Sequence, residues 1–186
     1  MMALNFTKKL ILTGIVSLCI TAVYGQLIPI PLNQRIDNST TILEGQVISQ
    51  NSYWDETKTQ IYTSNVIEVY KLFKGTLSTN QVEIITKGGV VGNDMQRVSH
   101  TLELNIGDIG VFTAVPNTFK IANKTKLTKL KAYSGLQGFI KYDLKSGTAK
   151  DVFSTYKNVS KDVHAKIIGR TKTNIKTVQK APFKME

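Results

Sequence analysis

Ile61 to Phe73 reads IYTSNVIEVYKLF, and the conformation assigned to this stretch decides the fold. Val66, Val69, Tyr70 and Phe73 recur at helical spacing, which would make the segment one amphipathic helix. Its β-branched and aromatic content argues for a strand instead. A long strand with a bulge curves and buries residues of both parities, which accounts for the imperfect alternation. Lys74-Gly75 closes it. The segment is therefore expected to be a curved strand.

The flanking segments agree. Upstream, Thr41 to Ser49 (TILEGQVIS) alternates Leu43, Gly45 and Val47 with Ile42, Glu44 and Gln46, the pattern of a strand. Asn51 to Thr59 is polar and turn-rich, with Tyr53 and Trp54 available to cover an open barrel end. Downstream, Gln81 to Lys87 is a strand with Val82, Ile84 and Thr86 on one face. Gly88-Gly89-Val90-Val91-Gly92 lacks the Lys-Ser/Thr of a phosphate loop and no helix pattern follows it, so it reads as a sharp reversal. Met95 to Leu104 alternates, with Val98, Leu102 and Leu104 expected inside. Asn105 to Asp108 is a turn, and Ile109 to Val115 is a short buried strand. Phe119 to Lys131 has no firm periodicity. Gly138 to Leu144 is a further strand, ended by Ser146-Gly147.

Two helices frame this series. Pro31 suits the first helical position, with Leu32 and Ile36 on one face and Asn38-Ser39 as the stop. Ser160 is placed to cap a second helix and Asp162 favours its first turn. Val159, Val163 and Ile167 then share a side, and Gly169 is a natural stop. The pattern is mainly β: a small antiparallel barrel or sandwich with a short N-terminal helix and a C-terminal helix.

The first 25 residues carry a different signal. Lys8 and Lys9 precede the apolar run Leu10 to Val23, which ends at Val23-Tyr24-Gly25. This is the order of a cleavable signal peptide. The run is 14 residues, short of the roughly 20 that span a bilayer. Leu18 before Cys19 is too bulky for a usual lipid-attachment site. No later segment is long and apolar enough to span. Cleavage after Gly25 would remove Cys19, the sole cysteine, and with it any disulfide or thiolate chemistry. The expected location is secreted or periplasmic.

Charge divides the remainder. Residues 26–116 hold 6 basic and 9 acidic residues, whereas 117–186 hold 16 and 4. Such asymmetry marks either a solvated lysine-rich surface or a face that meets phosphate, anionic glycan or lipid headgroups. Arg170 is the only arginine among those 16, which disfavours nucleic-acid readout by the arginine fork.

Few residues point to chemistry. His100 and His164 sit on a strand and a helix, without an HExxH pair. No GxSxG elbow occurs, and Ser134-Gly135 lacks its preceding glycine. Glu44, Glu68 and Glu83 alternate with apolar neighbours and are expected outside, in water. Asp55, Glu56 and Asp94 lie in loops without calcium-loop spacing. Tyr53, Trp54, Tyr62 and Tyr70 either pack the core or offer rings to sugars or single strands. No catalytic, cofactor-binding or metal-binding residue is singled out, and no cofactor is expected.

Six phrases carry a resemblance: ILEGQVIS at 42–49, IYTSNVIEVYKLFKG at 61–75, VEIITKGGVVG at 82–92, LNIGDIGVFTA at 104–114, QGFIKYD at 137–143 and VFSTYKNV at 152–159. Together they resemble an N-terminal β-barrel module of large secreted bacterial proteins, often substrates of type IX secretion. The resemblance spans roughly residues 28–168 and implies a five-stranded OB-like barrel. In such proteins the module sometimes precedes a matrixin-like metallopeptidase domain. The organisation it implies is a signal peptide at 1–25, a β-barrel module at 26–145 and a basic, helical C-terminal appendage at 146–186. The sequence closes at Ala181-Pro182-Phe183-Lys184-Met185-Glu186, which leads to the expectation of a free-standing or truncated form without the second, surface-directing domain. The expected role is a non-catalytic structural or interaction module, its partner a cell-surface glycan or protein. The alternatives are the N-terminal fragment of a secreted metallopeptidase, or a binding module for anionic glycan or nucleic acid.

Overall fold

The computed structural model describes residues 27–171 and 175–185. The signal peptide expected at 1–25, with Cys19, lies outside the described residues. The described chain is mainly β with two helices. Helix α1 is Leu32–Asn38 and helix α2 is Ala165–Thr171. The strands are β1 (Thr41–Trp54), β2 (Ile61–Lys74), β3 (Gln81–Lys87), β4 (Gly89–Val91), β5 (Asp94–Gln96) and β6 (Ile109–Pro116). They continue with β7 (Thr128–Ala132), β8 (Phe139–Asp143), β9 (Thr148–Lys150), β10 (Thr155–Tyr156) and β11 (Lys176–Thr177).

The deciding segment is a strand throughout. β2 pairs with β1 over 14-residue strands, and the register slips at Ile42/Leu43, Glu44/Gly45 and Val47/Ser49. Each slip bends and twists the ribbon. β2 then pairs with β3, β3 runs parallel to β7, β7 pairs with β6, and β6 returns to β1. β8, β9 and β10 extend the sheet from β6.

Bending lets both faces of these strands be buried. Leu43, Val69, Leu72, Ile84, Phe112 and Leu130 belong to one apolar cluster to which β1, β2, β3, β6 and β7 all contribute. Ile42, Phe73, Val111, Ile140 and Tyr142 belong to a second, completed by Leu32 and Ile36 of α1 and by Val159, Val163 and Ile167 at the C-terminal helix. Neighbouring residues such as Ile42 and Leu43 therefore serve different cores, as the pleat requires. Two glycines allow the closest approach. Gly45 faces Gly110 across β1 and β6, and a Cβ on Gly110 would stand 2.0 Å from the Ile140 carbonyl oxygen.

Several expectations need correction. The first strand does not end near Ser49 but runs to Trp54, so only Glu56–Thr59 and their neighbours make the turn. There Asp55 accepts hydrogen bonds from the Thr57 hydroxyl and the Thr59 and Gln60 amides. The Thr57 hydroxyl, with these amides, outweighs the opposing desolvation and holds its carboxyl at about 2. Met95–Leu104 is not one strand: pairing ends at Gln96 and the chain turns at His100, whose φ is 58°. Leu102 and Leu104 still enter the core, but Val98 stays half-buried. The unpatterned region contains β7, whose Lys129-Leu130-Lys131 alternation is too short to stand out. The second helix is capped by Asn158 rather than Ser160. Asn158 Oδ1 accepts from the Lys161 amide at 2.7 Å, and Asp162 accepts from the Asn158 amide at 3.0 Å, a reciprocal capping box. A π-type turn over Ser160–His164 leads into α2, which passes Gly169 to Thr171. Among the described residues no helix is long and apolar enough to cross a membrane.

Candidate functional site

Glu44 and Glu83, expected in solvent, are both fully buried. Alternation places them correctly on the far side of the strands from the cluster shared by β1, β2, β3, β6 and β7. Other parts of the chain then cover that far side. Glu68 is half-buried, and its carboxylate accepts a long hydrogen bond from the Tyr70 hydroxyl at 3.4 Å.

Over Glu44 lie β8 and the turn before α2. Tyr142 donates its hydroxyl proton to Glu44 Oε2 at 2.8 Å. His164 Nε2 stands 3.0 Å from the same oxygen and 2.7 Å from the Tyr142 hydroxyl. The Lys71 ammonium lies 3.1 Å from Glu44 Oε1. Burial alone would push the Glu44 carboxyl up. The His164 hydrogen bond, the Lys71 charge and the Tyr142 hydroxyl outweigh it and hold the group below its usual range. Burial, then the Glu44 charge, push the Tyr142 hydroxyl far upward, so it remains a donor. The segment 177–185 passes above, and a cavity of about 750 Å³ lies between it and Glu44. His164, taken from the sequence as an isolated histidine, thus meets an acid and a phenol.

Over Glu83 lies the irregular connection between β6 and β7. Asn123 Nδ2 and the Thr125 hydroxyl donate to Glu83 Oε1 at 2.8 and 2.7 Å, and the Lys129 ammonium stands 3.8 Å from Oε2. A third buried charge, Arg35 of α1, donates to Asp151, to the Gln137 carbonyl and to the Tyr156 hydroxyl. It fastens α1 to the strands after β8. In all three assemblies the polar atoms are largely committed to one another. They act as fasteners between distant segments.

One cleft is different. It opens where the parallel ends of β3 and β7 meet the 98–102 loop, with a volume of about 600 Å³. Phe119 stacks on Tyr62 with ring centroids 4.9 Å apart, at 20°. The Lys87 and Lys131 ammonium groups lie 5.6 and 5.2 Å from the Phe119 centroid. No acidic residue lines the cleft. The rim carries His100 and Ser134, both non-glycine residues in the left-handed region (φ 58° and 59°). Such backbone is uncommon outside glycine and fixes the shape of the rim.

Of the rings considered from the sequence, Tyr62 reaches this cleft through its stack with Phe119. Tyr70 is buried, with its hydroxyl bonded to Gln46, and Tyr53 and Trp54 are half-buried at the far end of β1. His100 lines the cleft. Asp55, Glu56 and Asp94 stand apart from it. Sequence reasoning missed Phe119, Lys87 and Lys131. Phe119 sits in the stretch without periodicity, so no pattern identified its face. Among the described residues no group of three His, Cys, Asp or Glu side chains is placed to hold a metal ion.

No protein-family model matches this chain, and no curated protein matches it.

Proposed function

We propose that this chain is a non-catalytic, exported β-module whose role is to make a contact, and that its contact surface is the Lys87–Phe119–Lys131 cleft. In this reading the circuit β1-β2-β3-β7-β6 is an OB-like five-stranded barrel, elaborated by β8 to β10 and by the helices. The module belongs with the N-terminal barrels of large secreted bacterial proteins, and its location is secreted or periplasmic.

One observation carries the reading. The buried carboxylates and His164 are bound up in fasteners. The open cleft, which His100 and Tyr133 also line, has two lysines beside Phe119 and no carboxylate. Binding energy at such a surface comes from a desolvated aromatic anchor and complementary charge. Nothing in it resembles a nucleophile held by a base.

The test is co-sedimentation of the full chain with washed Gram-negative envelope fragments. The wild type is expected to sediment in a salt-sensitive manner. The Lys87→Glu/Lys131→Glu variant is expected to stay in solution with its far-ultraviolet circular dichroism unchanged. Equal sedimentation of a folded variant, or none by the wild type, would refute a contact through this cleft.

A further inference from the structure

The kind of ligand can be argued from the same cleft, and this step rests on the contact reading above. We propose that the cleft binds an acidic saccharide: its carboxylate or sulfate sits between Lys87 and Lys131, and its sugar ring lies in the cleft beside Phe119.

The electrostatics come first. Two ammonium groups converge on one ring, and neither forms an ion pair among the described residues. Lys131 donates to the Thr118 hydroxyl at 2.8 Å, which orients it without neutralising it. Like charges brought together repel, and an anion shared between them relieves that repulsion. The Phe119 ring quadrupole offsets part of that repulsion and holds both groups in place. A lysine pair acts as two point charges, suited to a single carboxylate or sulfate.

Shape then narrows the class. A volume of about 600 Å³ lies within the roughly 300–1,000 Å³ of small-ligand sites. Phe119 and Tyr133 are the rings that line the cleft, and Tyr62 stacks beneath Phe119. Single-strand nucleic-acid sites track about 4–16 nucleotides along a groove, more than a cleft of about 600 Å³ holds. The rim is rich in hydroxyls, from Ser99, Thr101 and Ser134, which match the hydroxyls of a sugar. The lysines also explain why a neutral sugar is the poorer match: it would use neither charge.

Isothermal titration calorimetry on the full chain tests this with four probes: tetragalacturonate, a heparin tetrasaccharide, maltotetraose and oligo-dT. An acidic saccharide is expected to bind at least about tenfold more tightly than maltotetraose, a gap that one unshared charge contact produces. Its binding should weaken with added salt. Lys131→Glu is expected to abolish it. Phe119→Ala should weaken it about tenfold while the salt dependence persists. Equal binding of maltotetraose, or tighter binding of oligo-dT, overturns the proposal. So does undiminished binding by a folded Lys87→Glu/Lys131→Glu variant. If the wild type sediments with envelope and the double variant does not, yet neither acidic saccharide binds, the ligand class is wrong and the contact reading survives.

Discussion

Replacing Glu44 by Gln asks how much the buried charge under α2 contributes. The Glu44 carboxylate has no solvent exposure, accepts from Tyr142 at 2.8 Å, and lies 3.0 Å from His164 and 3.1 Å from Lys71. Hydrogen bonds to a charged acceptor contribute about 1.5–3 kcal/mol each, neutral ones about 1. Glutamine keeps one carbonyl acceptor for Tyr142 or His164, but turns the Oε1 side into an amide that repels Lys71. The Lys71 side chain is 36% exposed, so its ammonium can swing into water and recover part of the loss. The expected cost at neutral pH is therefore about 2 kcal/mol, below the 3–5 kcal/mol of a fully buried pair broken on one side. The pH dependence is diagnostic. The folded Glu44 carboxyl is held below its ordinary value of 4.5, so its stabilisation is fully present above that value. It is lost as pH falls through the folded value, where both states protonate. Urea unfolding of both proteins between pH 3 and pH 7 measures this. The gap in midpoint should be constant near neutrality and shrink in acid. A gap of the same size at pH 3 and pH 7, or no gap at pH 7, would refute the assigned role.

Glu83→Ala removes the acceptor for Asn123 and Thr125 and should release the β6–β7 connection. Trypsin is expected to cut rapidly at Lys120, Lys124 and Lys126, where the wild type resists; an unchanged digestion pattern contradicts the clamp. Gly110→Ala puts a Cβ 2.0 Å from the Ile140 carbonyl oxygen, so β6 and β8 must part, with a loss of about 3 kcal/mol or more in thermal or urea melts. Gly169→Ala, in a helix with nothing within 4 Å of the new methyl group, should instead stabilise by about 0.5–1 kcal/mol in the same assay. Arg35→Met leaves Asp151 with the Tyr156 hydroxyl and the amides of Phe153 and Ser154, and should cost about 3 kcal/mol by urea unfolding at pH 7. That loss should diminish in acid. Burial pushes the Asp151 carboxyl up, but its amide and Arg35 bonds hold it below the ordinary 3.8, so its stabilisation disappears as pH falls through the folded value.

Much of the architecture is a local property of the chain and was legible in it. The β-branched content of 61–73 predicts the long strand that the structure contains. The i, i+4 spacing of Val159, Val163 and Ile167 predicts a single buried helical side, and all three are fully buried. Leu32, Ile36 and Asn38 mark the first helix, which starts one residue later than expected because Pro31 is its extended N-cap (φ −54°, ψ 145°) rather than its first helical residue. Pleat and helical turn act over a few residues, so the pattern of side chains reports them directly. The expectation for Met95–Leu104 failed because alternation alone cannot register a left-handed turn at His100.

The two glutamates show where local pattern stops. Alternation determined which side of β1 and β3 carries Glu44 and Glu83. It could not determine whether that side meets water, because the covering groups are far along the chain: Tyr142 is 98 positions from Glu44, and Asn123 is 40 from Glu83. The candidate cleft has the same origin. Lys87, Phe119 and Lys131 lie in three segments with no shared pattern, and only the parallel pairing of β3 with β7 brings them around one ring. Strand, helix and face were thus determined by the sequence through interactions between near neighbours. Burial of charge and convergence of charge were decided by tertiary contacts, which depend on where distant segments come to rest.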